Sequence, residues 1–331
     1  MLFLILIVFI SVIEAYKNVT LMREYANQEM MNMIMIKKDG SVELYKKNNN
    51  IWRYDYFFRI LKHINRENPV NKNIYLLLSS YDEPLLLSKD CPLIGTKWDF
   101  HIRNHKIVIE NVNQVLAIST AAALNCHLDI SVPYVAMSDG YLKINEHHIS
   151  RWENKISTLF WRGSATGGKV NNSLYSNHRY RTVKFLNQFE WSDVKLTNTA
   201  ELGVLSEEES EGLLGEVVPL DDMCKYKYLL NIAGWSSAYR LNMLTKCKSV
   251  IISMSPILDL VDKAIYPYYY RIQDENEIPV IMEYLLSHDK EANIMSDKMY
   301  NIARTRITYN RMYDYSKSLL RKLEEEEEFI Y

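Results

Sequence analysis

The most informative segment of the chain reads CKYKYLLNIAGWSSAYR, residues 224–240. The part at 228–232 is mostly apolar without alternation, which is typical of a strand buried on both faces of a parallel sheet. Gly234 follows it, and then Ser236 and Ser237, which favour the start of a helix. The segment therefore predicts a strand, a turn and a helix, the order of an α/β unit.

The same alternation extends in both directions along the chain. A hairpin is predicted at Asp39-Gly40, between runs 33–37 and 41–45. Further strands are predicted at 74–80, 106–110, 131–137, 158–161, 193–196, 249–254 and 268–272. Helices are predicted at 51–65, 113–125, 178–189, 236–247, 277–287 and 289–328. This order indicates an α/β protein with two halves, parallel sheets covered on both faces, a boundary near 140–155 and a central cleft.

Charge and composition exclude some classes of protein. The 331 residues include 41 acidic and 39 basic side chains, for a net charge of −2. A general nucleic-acid binder needs a basic surplus, so no nucleic-acid partner is expected. With 48% apolar and 24% charged residues, the chain has an ordinary globular composition.

Glycine is scarce and unevenly placed. Three of the 10 glycines, at positions 163, 167 and 168, fall in the segment WRGSATGG, residues 161–168. This segment follows a predicted strand, and ligands of open α/β sheets bind at the carboxyl ends of strands. Backbone N–H groups, with the hydroxyls of Ser164 and Thr166, are therefore predicted to bind an anion. A tight turn without a ligand is the alternative.

Two more strand ends carry candidate groups. Ser236 and Ser237 would begin a helix whose positive end attracts phosphate, with Arg240 one helical turn later. An ordinary serine cap with a surface arginine is the alternative. Asp82 follows the strand at 74–80, where it is either a general base or part of a turn before Pro84.

Several features indicate the secretory pathway. Residues 2–13 are apolar except for Ser11, which predicts a signal peptide over 1–15, with a buried strand as the alternative. The run is too short to span a bilayer, so no stable membrane span is expected after cleavage. Asn18 and Asn171 begin Asn-x-Ser/Thr glycosylation triplets. The four cysteines are an even number without metal-ligand spacing, as in an oxidising lumen.

Other polar and aromatic groups receive structural interpretations. The acidic stretch 197–216 is predicted to be a solvated surface insertion. Glu146, His147 and His148 are assigned to a solvated helix start, because adjacent histidines point to different sides of an element. The tyrosines at 266 and 268–270 either line a sugar site or are core or edge-strand residues.

At this point four segments carry a resemblance. Residues 224–250, 160–164, 178–181 and 79–84 resemble, in the same order along the chain, the motifs of glycosyltransferase family 90. This family includes protein O-glucosyltransferases and fungal capsule-associated xylosyltransferases. The similarity extends from about residue 35 to 320.

The resemblance implies a GT-B-like fold of two Rossmann-like lobes and an inverting, metal-independent transfer. The donor is a UDP-sugar, with glucose or xylose expected, the acceptor is a hydroxyl of a protein or glycan, and no cofactor is needed. Residues 16–150 would form the lobe for the acceptor and the catalytic base, and residues 151–290 the lobe for the nucleotide sugar. Residues 291–331 would form a C-terminal helix packed across both.

The resemblance also assigns residues. Asp82 matches the catalytic base, and Arg179 and Arg240 match the arginines that bind the diphosphate. The expected nucleotide-sugar contacts also include Gly163, Ser164, Thr166, Ser236, Ser237 and Ala238. Cys224 and Cys247 match a disulfide, which leaves Cys91 and Cys126 as the remaining pair. Ala165 departs from the family, because many relatives have arginine there.

The leading hypothesis is therefore a glycosyltransferase of the endoplasmic reticulum or Golgi lumen, or a secreted one. A non-catalytic protein that binds a nucleotide or sugar with the same fold is the alternative. A third possibility is a cytosolic nucleotide-binding enzyme whose apolar N-terminus is a buried strand.

Overall fold

The computed structural model describes residues 17–18, 22, 31–45, 54–79, 87, 91–94, 96–98, 116–122, 126–127, 129–134, 137, 149–326 and 329–330. The predicted signal peptide, Asp82, the strand predicted at 106–110 and the pair His147-His148 lie outside the described residues.

The strands and helices alternate for most of the chain. The first strands are β1 Lys17–Asn18, β2 Met31–Ile36, β3 Val42–Tyr45, β4 Ile74–Ser79, β5 Ala117–Ser119, β6 Ala121–Ala122 and β7 Ile130–Ser131. The later strands are β8 Ile156–Ser164, β9 Ser192–Asn198, β10 Tyr226–Ile232, β11 Val250–Met254, β12 Leu258–Asp259, β13 Tyr270–Ile272 and β14 Phe329–Ile330. The helices are α1 Asp55–Glu67, α2 His178–Leu186, α3 Glu207–Ser210, α4 Leu241–Leu244, α5 Leu260–Ile265, α6 Ile278–Ser287, α7 Asp289–Arg306 and α8 Tyr309–Glu326.

The chain divides into two compact units, each made of separate segments. The first unit consists of Met1–Pro92, His105–Ser138 and Tyr309–Tyr331, and the second of Leu93–Asn104 and Asp139–Thr308. The functional roles predicted for the two lobes, and for a helix packed across them, stay predictions.

The first unit contains a five-stranded mixed sheet in the order β3-β2-β4-β5-β7. β2 pairs antiparallel with both β3 and β4, whereas β4, β5 and β7 are parallel. The predicted hairpin is confirmed, with Gly40 at φ +87° in its turn. The α/β class is likewise confirmed, but this hairpin makes the first sheet mixed rather than parallel.

Helix α1 packs into the first unit through one apolar face. Its buried residues recur at the helical spacing of three and four: Tyr56, Phe57, Ile60, Leu61 and Ile64. The last helix of the chain, α8, binds α1 through side-chain hydrogen bonds. The Tyr309 hydroxyl contacts His63 Nδ1 at 2.9 Å, and the Tyr313 hydroxyl donates to Glu67 at 2.8 Å.

The second unit is built on a parallel sheet in the order β13-β11-β10-β8-β9. All five residues of β11 are buried, and so are six of the seven in β10. A strand without an exposed face is what a central position in a covered parallel sheet requires. The parallel sheet predicted for this half of the chain is therefore confirmed.

A buried lysine lies at the start of this sheet, beside the disulfide between Cys224 and Cys247. Lys155 is 5% exposed, and its ammonium donates to the carbonyls of both cysteines and to Ser249 Oγ. Burial lowers the pKa of Lys155 to about 8, so the group is still mostly charged at neutral pH. The lysine thus satisfies backbone acceptors where two strands begin. The second disulfide, in the first unit, joins Cys91 and Cys126.

Two of the predicted long helices are wrong. The segment predicted as a helix over 113–125 contains β5 and β6 instead, and Ala117 and Ile118 of β5 pair in parallel with β4. The helix predicted over 289–328 is two helices, which separate at residues 307–308. The first of these helices belongs to the second unit and the other to the first unit.

In the part of the chain that the structure describes, no helix is both long enough and apolar enough to cross a bilayer.

Replacement of the buried lysine tests its structural role. Lys155→Met is expected to lower the free energy of unfolding by about 2–4 kcal/mol, because it leaves buried carbonyls without a donor. Urea denaturation measures the change. The exposed Lys225, which pairs with Asp222 on the surface, provides the control Lys225→Met, with an expected loss below ~1 kcal/mol. Equal losses for the two variants would contradict the role assigned to Lys155.

Candidate functional site

Two turns meet at the carboxyl edge of the parallel sheet in the second unit. β8 continues into residues 165–168, here called the glycine turn, and β10 continues into residues 233–240, here called the serine turn. Because β8 and β10 are neighbours and parallel, both turns lie at the same edge of the sheet. This is the edge where open α/β sheets bind their ligands.

Arg179, on the first turn of α2, joins the two turns. Its guanidinium donates to Ser164 O at 2.8 Å and to Thr166 Oγ1 at 2.7 Å on one side. On the other side it donates to Ile232 O and Ala233 O, both at 2.8 Å. Arg179 is 5% exposed, and four of its five N–H bonds are used in this way.

The start of α2 is fixed to the glycine turn as well. Asn177 caps the helix, since its side-chain oxygen accepts from Tyr180 N at 2.9 Å. Its amide group donates to Ala165 O and Gly168 O, each at 3.0 Å. The helix and the turn therefore hold each other in place.

Two of the scarce glycines allow a close approach at this edge. A Cβ at Gly234 would lie 2.6 Å from Thr166 Oγ1 and 3.2 Å from Arg179 Nη2. A Cβ at Gly163 would lie 2.6 Å from the Trp161 ring and 2.9 Å from Arg240 Nη2. Any side chain at either position would displace the arginines.

Arg240 is the second guanidinium at this edge, and it is used differently. It donates through Nη1 to Arg162 O, the one hydrogen bond that the described residues give it. The buried ring of Trp161 contacts both cations, with each guanidinium carbon 5.5 Å from the ring centroid. The N–H groups that Arg240 has left make it the better placed of the two arginines to bind an anion.

Both arginines keep their charge at neutral pH. Burial lowers the pKa of Arg179 to about 9, with a further decrease from the charge of Arg240 and an opposing increase from Glu201. Burial lowers the pKa of Arg240 to about 10. Two positive charges therefore stand at one sheet edge, a favourable environment for a polyanion.

The helix predicted over 236–247 is much shorter than expected. Only Leu241–Leu244 are helical, and the N-cap position belongs to Arg240 rather than to a serine. Ser236 and Ser237 lie in the turn and are 2% and 7% exposed. Ser237 Oγ has no hydrogen-bond partner among the residues that the structure describes. The prediction that Ser236 and Ser237 begin a helix is therefore wrong, and their contact with a nucleotide sugar stays a prediction.

The remaining predicted site residues are distributed as follows. Ser164 and Thr166 contact Arg179, and the carbonyl of Ala238 accepts from Leu241 N at 2.9 Å. Asn171 is exposed in a turn at φ +50°, and Asn18 is part of β1. Asp82 is outside the described residues, so its role stays a prediction.

A carboxylate that the sequence did not reveal occupies the glycine turn. Glu201 Oε2 accepts from the backbone N–H groups of Gly167 and Gly168, at 3.1 and 3.2 Å. Its other oxygen accepts from the indole of Trp235, in the serine turn, at 3.2 Å. The stretch 197–216 is therefore not a purely solvated insertion. Its position after β9, the strand next to β8, was the available signal.

A group of ion pairs that includes Arg181 of α2 holds this helix. Glu275 accepts from Arg181 at 2.5 Å and from Lys97 at 3.2 Å, and Lys97 also contacts Asp274 at 2.6 Å. Burial opposes ionisation of Glu275, but the hydrogen bond from Arg181 lowers its pKa below the usual value. Next to Lys97, the Trp98 ring lies 5.3 Å from that of His178. Residues 97–98 thus help to fix the helix that carries Arg179.

Within the described residues, no cluster of three or more His, Cys, Asp or Glu side chains could hold a metal ion.

Removal of the Arg179 guanidinium tests whether it holds the two turns together. Arg179→Met is expected to lower the free energy of unfolding by about 3 kcal/mol or more, because four acceptors at two strand ends lose their donor. Thermal or urea denaturation measures it, with the exposed Arg271→Met as control, where a change below ~0.5 kcal/mol is expected. If Arg179→Met is as stable as the control, the two turns do not depend on this side chain.

Known proteins resemble this chain over the same region. The profile of glycosyl transferase family 90 matches residues 135–325, which include both turns, Arg179 and Arg240. An O-glucosyltransferase rumi homolog of Aedes aegypti is 22% identical over 181 residues, 52% of this chain and 42% of that protein. Protein O-glucosyltransferase 2 of Danio rerio is 27% identical over 188 residues, 56% of this chain and 36% of that protein. The match thus covers less than half of each relative. Since the family profile covers more than half of the chain, the protein belongs to glycosyl transferase family 90.

Proposed function

We propose that this protein is an inverting glycosyltransferase that moves a sugar from a UDP-sugar to a hydroxyl group of a protein. The observation that carries the proposal is the pair of turns joined by Arg179, with Arg240 beside them, at the ligand-binding edge of a parallel sheet. The names of the two relatives favour glucose as the sugar and a protein as the acceptor. Xylose and a glycan acceptor are the alternatives to be tested.

The two arginines divide the work on the diphosphate. Arg240 supplies the direct contacts, because most of its N–H groups have no acceptor in the described part of the protein. Arg179 holds the turns in place, and its charge adds to the attraction while one N–H remains for the ligand. Charge that develops on the leaving UDP is stabilised by donors fixed before the reaction, which lowers the barrier to transfer.

Hydroxyl and backbone groups complete the proposed donor site. Ser237 Oγ is buried and has a hydrogen bond to give, which suits a phosphate or sugar oxygen. The other residues proposed for the site are Ser164 at the end of β8, Thr166 in the glycine turn, and Ser236 and Ala238 in the serine turn. In this proposal Gly163 serves by leaving room for Arg240.

The acceptor side of the reaction rests on Asp82. This residue comes three positions after the end of β4, and β4 is parallel to β5, so its carboxyl end is a ligand-binding edge too. A carboxylate that takes the proton of the acceptor hydroxyl makes the oxygen a nucleophile for the anomeric carbon. A single in-line displacement then inverts the configuration there.

The proposal needs no metal ion, because arginines and hydroxyls take over the neutralisation of the diphosphate. It also places the protein in the lumen of the secretory pathway, in the endoplasmic reticulum or the Golgi, or outside the cell. The two disulfides support an oxidising compartment.

A non-catalytic protein that binds a nucleotide sugar is the second candidate. Ala165 favours it: this residue is 1% exposed and its N–H donates to Asn198 O at 2.8 Å. An arginine, found here in many relatives, would have to leave that buried position to reach a phosphate. One possible contact with the leaving group is therefore absent.

Release of UDP from a panel of UDP-sugars, with a peptide or protein acceptor, decides between the two candidates. We expect turnover with UDP-glucose above the other donors and no loss after treatment with EDTA. Asp82→Asn should reduce transfer by about 10²-fold or more, the usual contribution of a general base, and leave UDP binding unchanged. Binding without any transfer or hydrolysis would favour the non-catalytic candidate.

Direct binding separates the roles of the two arginines. Arg240→Met should weaken UDP by about tenfold or more, which corresponds to ~1.4 kcal/mol or more of charge-assisted hydrogen bonding. Calorimetry measures the dissociation constant, with Arg271→Met as the matched control. Unchanged affinity in Arg240→Met would refute the donor site proposed here, whatever the result with Asp82→Asn.

A further inference from the structure

The carboxylate of Glu201 already occupies an anion-binding position. Three N–H groups converge on it: the backbone groups of Gly167 and Gly168 and the indole of Trp235. Consecutive main-chain N–H groups in a turn can form a nest that binds anions, and both glycines of this turn have positive φ angles, +115° and +69°. Glu201 therefore fills an anion-binding position with a carboxylate of the protein itself.

The position of this nest matters for the donor. The nest follows Thr166 directly, and Thr166 contacts Arg179, which also binds the end of β10. Trp235 belongs to the serine turn, so Glu201 connects the same two turns that Arg179 connects. Arg179 connects the turns as a buried cation, and Glu201 connects them as an exposed anion.

Glu201 has the freedom to leave. It is an exposed residue in the short 3₁₀ turn Ala200–Leu202, whereas Leu202 beside it is 1% exposed and anchors the backbone. A change of side-chain rotamer can therefore vacate the nest while the turn stays in place. The departing carboxylate gains water as its new partner.

We propose that Glu201 is a resident competitor of the donor diphosphate: it occupies the nest of the glycine turn in the free protein and is displaced when the nucleotide binds. The inference rests on the proposed function, since it assumes that the diphosphate reaches this turn. Displacement lowers the apparent affinity by the fraction of time that Glu201 occupies the nest. It also keeps the two turns together until a donor arrives.

Two substitutions at this position separate occupancy from charge. Glu201→Gln removes the charge, and Glu201→Asp keeps the charge but is one methylene too short to reach the three donors. If Glu201 competes by occupancy, both variants bind UDP about threefold or more tightly, which corresponds to a nest that is free at most about a third of the time in the unaltered protein. The exposed Glu216→Gln is the matched control, with unchanged affinity.

Calorimetry with UDP, inorganic pyrophosphate and uridine measures the effect, and uridine should bind equally to all variants. NMR of the Trp235 indole N–H gives a second readout. The indole signal of the unaltered protein should move towards that of free Glu201→Asp as UDP is added, because both states lack the carboxylate. Weaker UDP binding in Glu201→Gln, or wild-type affinity in Glu201→Asp, would overturn the proposal.

Pyrophosphate keeps this test independent of the proposed function. If no variant binds UDP or any UDP-sugar, the proposed donor site fails, but tighter pyrophosphate binding to both Glu201 variants still supports the competition. If pyrophosphate binds all variants with one affinity, or binds none of them, Glu201 does not compete with an anion for this turn.

Discussion

The burial of the Arg179 guanidinium is the constraint on which the second unit depends. A buried cation is tolerated only when acceptors surround it, and here they come from the ends of two different strands. Each turn therefore has its conformation only in the presence of the other. The same constraint explains Gly234, because a Cβ there would take the space of Thr166 and Arg179. The proposed donor site is thus made of groups that the sheet edge already needs for its own conformation.

The charged groups at this edge of the sheet differ in how deeply they are buried. The ring of Trp161 attracts both guanidinium groups. Arg179 donates its hydrogen bonds mainly to backbone carbonyls, whereas Arg240 retains N–H groups without an acceptor in the described residues. The exposed carboxylate of Glu201 adds a negative charge near these two cations. The most buried of the three groups thus holds the structure, and in the proposed donor site the more exposed two are the ones that would exchange partners with a ligand.

The sequence predicted the features that depend on local chemistry. The turn at Gly40, the strand end at Ile232 and the parallel sheet of the second unit follow from glycine placement and apolar runs, whereas the strand predicted over 158–161 extends to Ser164. Errors occurred where tertiary pairing overrode propensity, as in the alanine-rich segment that became β5 and β6. Lys155, Glu201 and Glu275 were missed because their partners are carbonyls, N–H groups or residues far along the chain. No periodicity or motif records such contacts, and the resemblance to a family supplied residue types rather than hydrogen bonds.

The chain passes between the two units four times, at residues 92–93, 104–105, 138–139 and 308–309. During synthesis, the second unit has all of its residues once Thr308 has been added. The first unit, although it begins the chain, still lacks α8, whose tyrosines bind α1. Vectorial folding therefore runs against the order of the sequence: the unit encoded first is the unit completed last. Until α8 has been added, the growing chain presents α1 without the hydrogen bonds from Tyr309 and Tyr313.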